Sequence, residues 1–454
     1  MKDLRGRGNN VLHIGLDDVD SPDGMCTTFL GALLARRLAE AGYEFLDYPY
    51  LVRLNPNIPF KTRGNGSVSL HVRIGRDDLE AVEELVRSYI ERLAERHGKT
   101  DATAVLVVGS TEPLYEVYKR ALVELISPSA VRRLLKAVGA RVVGGHKRGV
   151  VGAAASVGAY PLRSYTYELL LYRPLIIKER LRGLDDEVKE LDRLLRPYIF
   201  ANVDYAANRV LATPHGPDPV VAGIRSVNPL LLSALAPRLC EAWGALMAII
   251  YKSNQATGQH LTLLKSVTDV RPYDSVVIRG RVASGPMVIR GGHVIFSLED
   301  STARMECAAY RETGYLARAA RKLKRGDLIE VGGGVRVRKK GLTLNVEYLR
   351  VLRPLPSVEL KNPLCPRCGR RMKSAGRGKG FKCPNCGYRE RGLKKEVYFT
   401  PPLLEPGTYL QSPSAYRHLS PPREALGLRS IPAPPLPNLF LYPPVHKPFK
   451  ISKR

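Results

Sequence analysis

The sequence predicts a multidomain protein of mixed α/β and α+β type, continuing into an OB-fold barrel, a zinc ribbon and a proline-rich C-terminal arm. Three observations carry this expectation. Apolar strands alternate with amphipathic helices through the first half, five strand-like segments with one helix follow, and two Cys-x2-Cys knuckles come next. A chain of 454 residues also exceeds one ordinary hydrophobic core, so roughly three or four domains are expected.

The first unit, residues 1–160, reads as α/β. Val11 to Gly15 is a short apolar strand ending in the acidic turn Asp17-Asp18-Val19-Asp20. A helix is expected from about Thr27 to Ala41, with Gly42 placed to end it. Val68, Leu70, Val72 and Ile74 alternate with Ser69, His71 and Arg73, the pattern of a half-buried strand. A helix capped by Asp77 or Asp78 follows and stops at Gly98; then come the strand Ala104 to Val108 and a helix opened by Ser127-Pro128.

Residues 161–262 change order. A strand at Tyr165–Tyr172, a helix at about Asp185–Leu195, a hairpin around 206–208, the strand Val220–Ile224, the helix Pro229–Leu246 and the strand Ala248–Tyr251 resemble a ferredoxin-like split βαβ unit. Residues 268–356 are all-β apart from a helical stretch at Gly314–Lys324, between the third and fourth strands. That is the layout of an OB-fold, whose face binds oligonucleotides.

Cys365-Pro-Arg-Cys368 and Cys383-Pro-Asn-Cys386 are separated by fourteen residues. Two equal knuckles place four thiolates around Zn²⁺, which a redox pair does not explain. This ribbon, residues 361–395, holds twelve Lys or Arg and one acid, Glu390, so it is expected on phosphate. Thirteen of the 34 prolines lie after Val397. Residues 396–454 therefore read as an extended arm without helix or strand period, docked on the body or on RNA, with a disordered tail as the alternative.

Lys and Arg number 71 against 43 acids, a net charge of +28, which attracts a polyanion such as nucleic acid. A generally basic chain would show the same excess. Of seven cysteines four are clustered and Cys26, Cys240 and Cys307 are scattered, so no disulfide framework is expected and a reducing cytoplasm fits. No signal-like or membrane-spanning apolar stretch is evident.

Chemistry is expected at three places. Asp17, Asp18 and Asp20 follow a strand directly, where clustered acids call for a cation such as Mg²⁺ bridged to nucleotide phosphate. The amides and hydroxyls of the following helix start, including Thr27 and Thr28, can hold an anion, or simply cap the helix. The loop from Arg53 to Gly66 offers Arg53, Lys61 and Arg63 as phosphate-binding cations, with Gly64 and Gly66 permitting close backbone approach. It is no P-loop, and a solvated basic loop reads the same; so does Gly144-Gly-His-Lys-Arg-Gly149. Thr213-Pro-His-Gly-Pro-Asp-Pro-Val220 fixes His215 and Asp218, which with Asp204 would suit a small cation, or form only a structural turn.

The stretches IGLDDVDSPDGMCTT, RLNPNIPFKTRGNG and TPHGPDPVVAGIR together resemble the archaeal tRNA(Ile) 2-agmatinylcytidine synthetases, a resemblance covering nearly the whole chain. It implies an ATP-binding kinase-like first domain, then ferredoxin-like, OB-fold and zinc-ribbon domains. It implies that ATP phosphorylates the C2 oxygen of the wobble cytidine in an isoleucine tRNA with a CAU anticodon, and that the amine of agmatine displaces the phosphate. Asp17, Asp18 and Asp20 match the family's acidic motif, and Thr27 matches the threonine it phosphorylates on itself. Val19 stands where many relatives have threonine, so one hydroxyl is missing. Two other readings remain open at this point: a non-catalytic RNA-binding protein, and an ATP-dependent ligase or kinase with another amine or target.

Overall fold

The computed structural model describes residues 10–20, 24–61, 64–94, 100–145, 147–173, 183–214, 219–339 and 341–445. Its largest element is a single sheet that runs through both α/β units. The strands lie in the order Val220–Ser226, Thr166–Tyr172, Met247–Ser253, Tyr50–Arg53, Gly66–Ile74, Asn10–Asp17, Thr103–Val108, Arg141–Gly144. Neighbours on this path are antiparallel except for Met247–Ser253 against Tyr50–Arg53, where Lys252 pairs with Tyr50. That parallel pairing joins the two units, so their backbones share one hydrogen-bonded layer.

The first helix, Thr27–Glu40, ends at Ala41 before Gly42 at φ 78°, as its sequence predicts. The strand Gly66–Ile74 departs from the half-buried expectation. Ser69 and His71 are fully buried, because two layers cover the sheet here. His71 Nδ1 meets His13 Nδ1 at 2.7 Å and His71 Nε2 meets Ser69 Oγ at 3.1 Å, which satisfies the polar groups on the second face. The covering layer is formed by two helices without a clear periodic signal. Glu112–Val123 and Gly149–Gly158 pack with Val105, Val107 and Tyr50 into a second apolar cluster. The latter, GVVGAAASVG, is rich in glycine and valine, which disfavour helices in isolation; tertiary packing decides its state. Gly98 lies outside the described residues.

In the second unit, the helices Leu184–Leu195 and Pro229–Ala242 flank the sheet, and the expected hairpin shrinks to the two-residue strands Val203–Asp204 and Arg209–Val210. Asn228 caps the second helix, its side chain accepting from the amides of Leu230 and Leu231. The barrel strands Ser275–Val288, Val294–Glu299, Arg304–Ala309, Leu328–Arg338 and Gly341–Arg353 close through Arg304–Ala309 pairing parallel with Gly341–Arg353. The helix Tyr315–Ala320 falls between the third and fourth strands, as an OB-fold requires.

The arm differs from the strand-free expectation. Gly407–Leu410 adds an edge strand to the barrel, pairing with Tyr348–Val351, and Leu441–Tyr442 pairs with Ala248 and Ile249 of the large sheet. Between them Leu419 enters the apolar cluster of the first unit, and Phe440 is buried against Phe45 and Tyr48. An isolated arm has no partner strands, so its sequence carries no period; the body supplies them. Among the described residues no helix is long and apolar enough to cross a membrane.

Candidate functional site

The strand Asn10–Asp17 runs into a turn in which Asp18 adopts φ 54° and Met25 φ 55°. Left-handed backbone at non-glycine residues costs of order 1–3 kcal/mol, although aspartate tolerates it better than most. The turn brings Asp17, Asp18 and Asp20 onto one wall of a cavity of about 440 Å³. Lys61, Gly64 and Gly66 form a second wall, and Arg148, Gly149 and Gly152 a third. The acids and the basic loop, separate in sequence, thus face one space.

Close packing sets this geometry. A Cβ on Gly152 would stand 1.9 Å from Asp17 Oδ2, and a Cβ on Gly15 would stand 2.0 Å from the carbonyl oxygen of Ala153. The helix Gly149–Gly158 therefore lies directly on the acidic strand only because both positions lack side chains. Burial, with Asp18 next, pushes the Asp17 carboxyl well above its usual range. A cation placed among these acids would reverse that effect. Thr27, 3% exposed, donates from Oγ1 to Asp20 Oδ1 at 3.2 Å and accepts from the amide of Val19 at 3.3 Å. Its helix begins without a side-chain cap. By contrast, the start of Gly149–Gly158 is already neutralised: Asp101 accepts from the amides of Lys147 and Gly149 at 2.9 Å.

Arg53 does not reach into the cavity. Its guanidinium packs behind the glycine wall, where a Cβ on Gly66 would meet Nη1 at 2.9 Å, and it lies 3.9 Å from Glu168. Glu168, buried, also holds Arg225 at 3.4 Å and accepts from Gln255. Thr28 sits beside Cys26, Oγ1 to Sγ 2.9 Å. The asparagines of the Arg53–Gly66 loop serve another purpose. Asn55 donates to the carbonyl of Tyr273 and Asn57 donates to Ser275 Oγ, at 2.9 and 2.8 Å, so the loop clasps the barrel. Burial, then Arg417 and Arg336, lowers the Lys61 ammonium to about 8.

Asp204 stands apart from the cavity. Ser414 of the arm donates its amide to Oδ2 at 2.9 Å and the amide of Ala207 donates to Oδ1 at 3.1 Å. Burial works against ionisation here, but these donors hold the carboxyl below its usual value. The arm thus engages Oδ2, while Oδ1 accepts from the hairpin itself. Arg63, His215 and Asp218 lie outside the described residues.

Sequence reading missed Gly152, Asp101, Glu168 and the arm residues Arg417 and His418. Only the loop Gly144–Gly149 carried a signal, its glycines and cations preceding Arg148. In the ribbon, Cys365, Cys368, Cys383 and Cys386 bring four sulfurs within 4.8 Å of one another, with Sγ–Sγ separations of 3.5 Å for Cys365–Cys386 and Cys368–Cys383. Tetrahedral zinc thiolates need roughly 3.8 Å between sulfurs, so the cluster fits Zn²⁺. Among the described residues no other group of three or more His, Cys, Asp or Glu converges so closely. Asp17, Asp18 and Asp20 line the cavity together without forming such a converging set of three ligands.

Comparison with known proteins agrees with this architecture. Residues 13–146 match the TiaS TCKD domain, 147–260 the TiaS FLD domain, 276–352 an OB-fold nucleic acid binding domain and 362–398 the TiaS C-terminal zinc ribbon domain. The isoleucine-tRNA 2-agmatinylcytidine synthetase TiaS of Thermofilum pendens is 50% identical over 434 residues, 94% of this chain and 97% of its own. The crystal structure of a complex of TiaS with its isoleucine tRNA and ATP is 33% identical with a TM-score of 0.77, covering 92% of this chain and 98% of that one. A complex of TiaS with the same tRNA, AMPCPP and agmatine is 30% identical with a TM-score of 0.76, over 93% and 99%.

Proposed function

The chain belongs to the family of isoleucine-tRNA 2-agmatinylcytidine synthetases, and on that premise we propose how its own residues carry the reaction. It is an ATP-dependent tRNA-modifying enzyme that forms 2-agmatinylcytidine on an isoleucine tRNA. The observation that supports the residue assignment is the meeting of Asp17, Asp18 and Asp20 with Lys61, Gly64 and Gly66 around one cavity.

A cytidine carbonyl is a poor electrophile. Phosphorylation of its C2 oxygen by ATP creates a leaving group, and attack by the primary amine of agmatine at C2 then expels phosphate. Phosphoryl transfer asks a protein for positioning and charge neutralisation. Mg²⁺ held by one or two of the acids would neutralise the phosphates, with Lys61 on the opposite wall; Arg63, beyond the described residues, would add a further cation. Gly64 and Gly66 let the backbone approach the triphosphate, and Arg53 stiffens them from behind. Thr27, buried and bonded to Asp20, is assigned as the phosphoryl acceptor, and Thr28 at the same helix start is assigned to ATP binding. The guanidinium of agmatine would pair with a carboxylate of the second unit, Asp204 or, beyond the described residues, Asp218, with His215 from the same stretch of sequence. The wobble base is splayed from its stack into the cavity, a modest cost in a single-stranded loop. A tRNA substrate also supports a cytoplasmic location.

The test is mass spectrometry of the isoleucine tRNA with a CAU anticodon after incubation with protein, ATP and agmatine. The wobble cytidine should gain the mass of one agmatine less one water, only when ATP is present. An unmodified nucleoside, or a gain without ATP, would contradict the assignment.

A further inference from the structure

Lys61, on the cavity wall, has cations from the barrel and from the arm as neighbours. Lys61 lines the cavity, and its Nζ donates to the carbonyl of Pro56 at 2.6 Å. Arg336, on the barrel strand Leu328–Arg338, donates from Nη1 to the next carbonyl of that loop, Asn57, at 2.8 Å. Arg417 arrives from the C-terminal arm and lies 3.9 Å from Glu347, its side chain about one-third exposed at 36%. Burial and mutual repulsion lower the Lys61 ammonium to about 8 and shift the Arg336 guanidinium down from its ordinary value, with Arg417 the strongest cationic neighbour of each. Glu347 partly offsets Lys61 and Arg417, and it is shared with His260 at 2.9 Å and with the hydroxyl of Ser420 at 3.2 Å. Beyond Arg336 the charge continues along the barrel face, where Arg338 is held by the Tyr310 hydroxyl at 2.8 Å.

Three cations brought together by separate domains repel one another, and that repulsion is relieved when an anion sits between them. The track leads from the cavity onto an OB-fold, a surface suited to an extended nucleic-acid strand. We propose that Lys61, Arg336 and Arg417 form a phosphodiester-binding mouth that grips a backbone phosphate of the RNA strand whose base enters the cavity. This rests on the synthetase reading above and adds a residue from the arm and one from the barrel to the substrate-binding surface. The arm is then part of the RNA-binding site as well as a strap. His418, which accepts from Arg225 at 3.4 Å and lies 3.2 Å from where a Cβ on Gly64 would stand, fixes the arm at that position.

The experiment uses the full-length zinc-loaded protein and the variants Arg417→Gln, Arg417→Lys and Arg336→Gln. Arg417→Gln should raise the KM for tRNA roughly five- to tenfold, keep the KM for ATP within about twofold, and flatten the salt dependence of tRNA affinity by about one unit of slope. Arg417→Lys retains the charge and should recover most of the affinity and the slope, which a packing role would not allow. Arg336→Gln should flatten the slope similarly. An unchanged slope in both Gln variants overturns the proposal, and so does a raised KM for ATP with normal tRNA affinity. A wild-type protein inert toward tRNA would remove the underlying reading and the proposal with it.

Discussion

The zinc ribbon gathers its four ligands from two short knuckles around a small core of Met372 and Phe381. The cavity draws its walls from positions as far apart as Asp17 and Gly152, and is shaped by the side chains those walls lack. One site is held by bonds to be made, the other by space kept empty. The difference teaches where each is vulnerable: the ribbon through its ligands, the cavity through any added atom or any loss of the layers that press on it.

The largest effect is expected at Phe440, which decides on which side of this comparison the arm belongs. Phe440 is 1% exposed between Phe45 and Tyr48. Phe440→Ala should destabilise the α/β half by about 3–5 kcal/mol, measured by thermal unfolding. A loss below about 1 kcal/mol would group the arm with the peripheral ribbon. The same packing implies that cutting the chain after the second unit strips Leu419 and Phe440 from the core as well as removing RNA contacts.

Next comes Gly152→Ala. The added methyl collides with Asp17, so a loss of about 2–3 kcal/mol is expected together with loss of ATP turnover. Calorimetry and an ATPase assay check both; a variant with wild-type stability and turnover would show that the helix is free to move away.

Cys383→Ser should have the smallest effect on the body. It should abolish zinc binding by elemental analysis and expose residues 362–398 to limited proteolysis. The unfolding of the α/β half should stay within about 0.5 kcal/mol, as expected for a site that shares no core with it, while tRNA affinity falls. A parallel loss in the α/β half would show that ribbon and cavity are coupled.

How much was legible follows the same division. The ribbon could be read because its ligands are local, and the acidic turn because it sits at a strand end. The helix Gly149–Gly158 could not, since its glycines and valines favour other states until the strand Asn10–Asp17 lies beneath it. The Arg53–Gly66 loop was readable as basic, yet its asparagines bind Tyr273 and Ser275, partners more than 200 residues away that no local pattern announces. Asp204 was readable as a carboxylate, but its bond to Ser414, 210 residues away, was not. Arg336 and Arg417 carry no motif at all; only the convergence of three domains gives them a role.

The central claim is that the acid-lined cavity performs phosphoryl transfer, and Asp20→Asn tests it most directly. The substitution keeps the side chain's shape and an oxygen for the hydroxyl of Thr27 while removing the charge. ATP-dependent incorporation of agmatine into the isoleucine tRNA should fall by about a hundredfold or more, the scale of losing one preorganised electrostatic partner. The circular dichroism spectrum, the unfolding temperature and the tRNA affinity should match wild type. Incorporation at the wild-type rate by a correctly folded Asp20→Asn protein would move the chemistry out of this cavity.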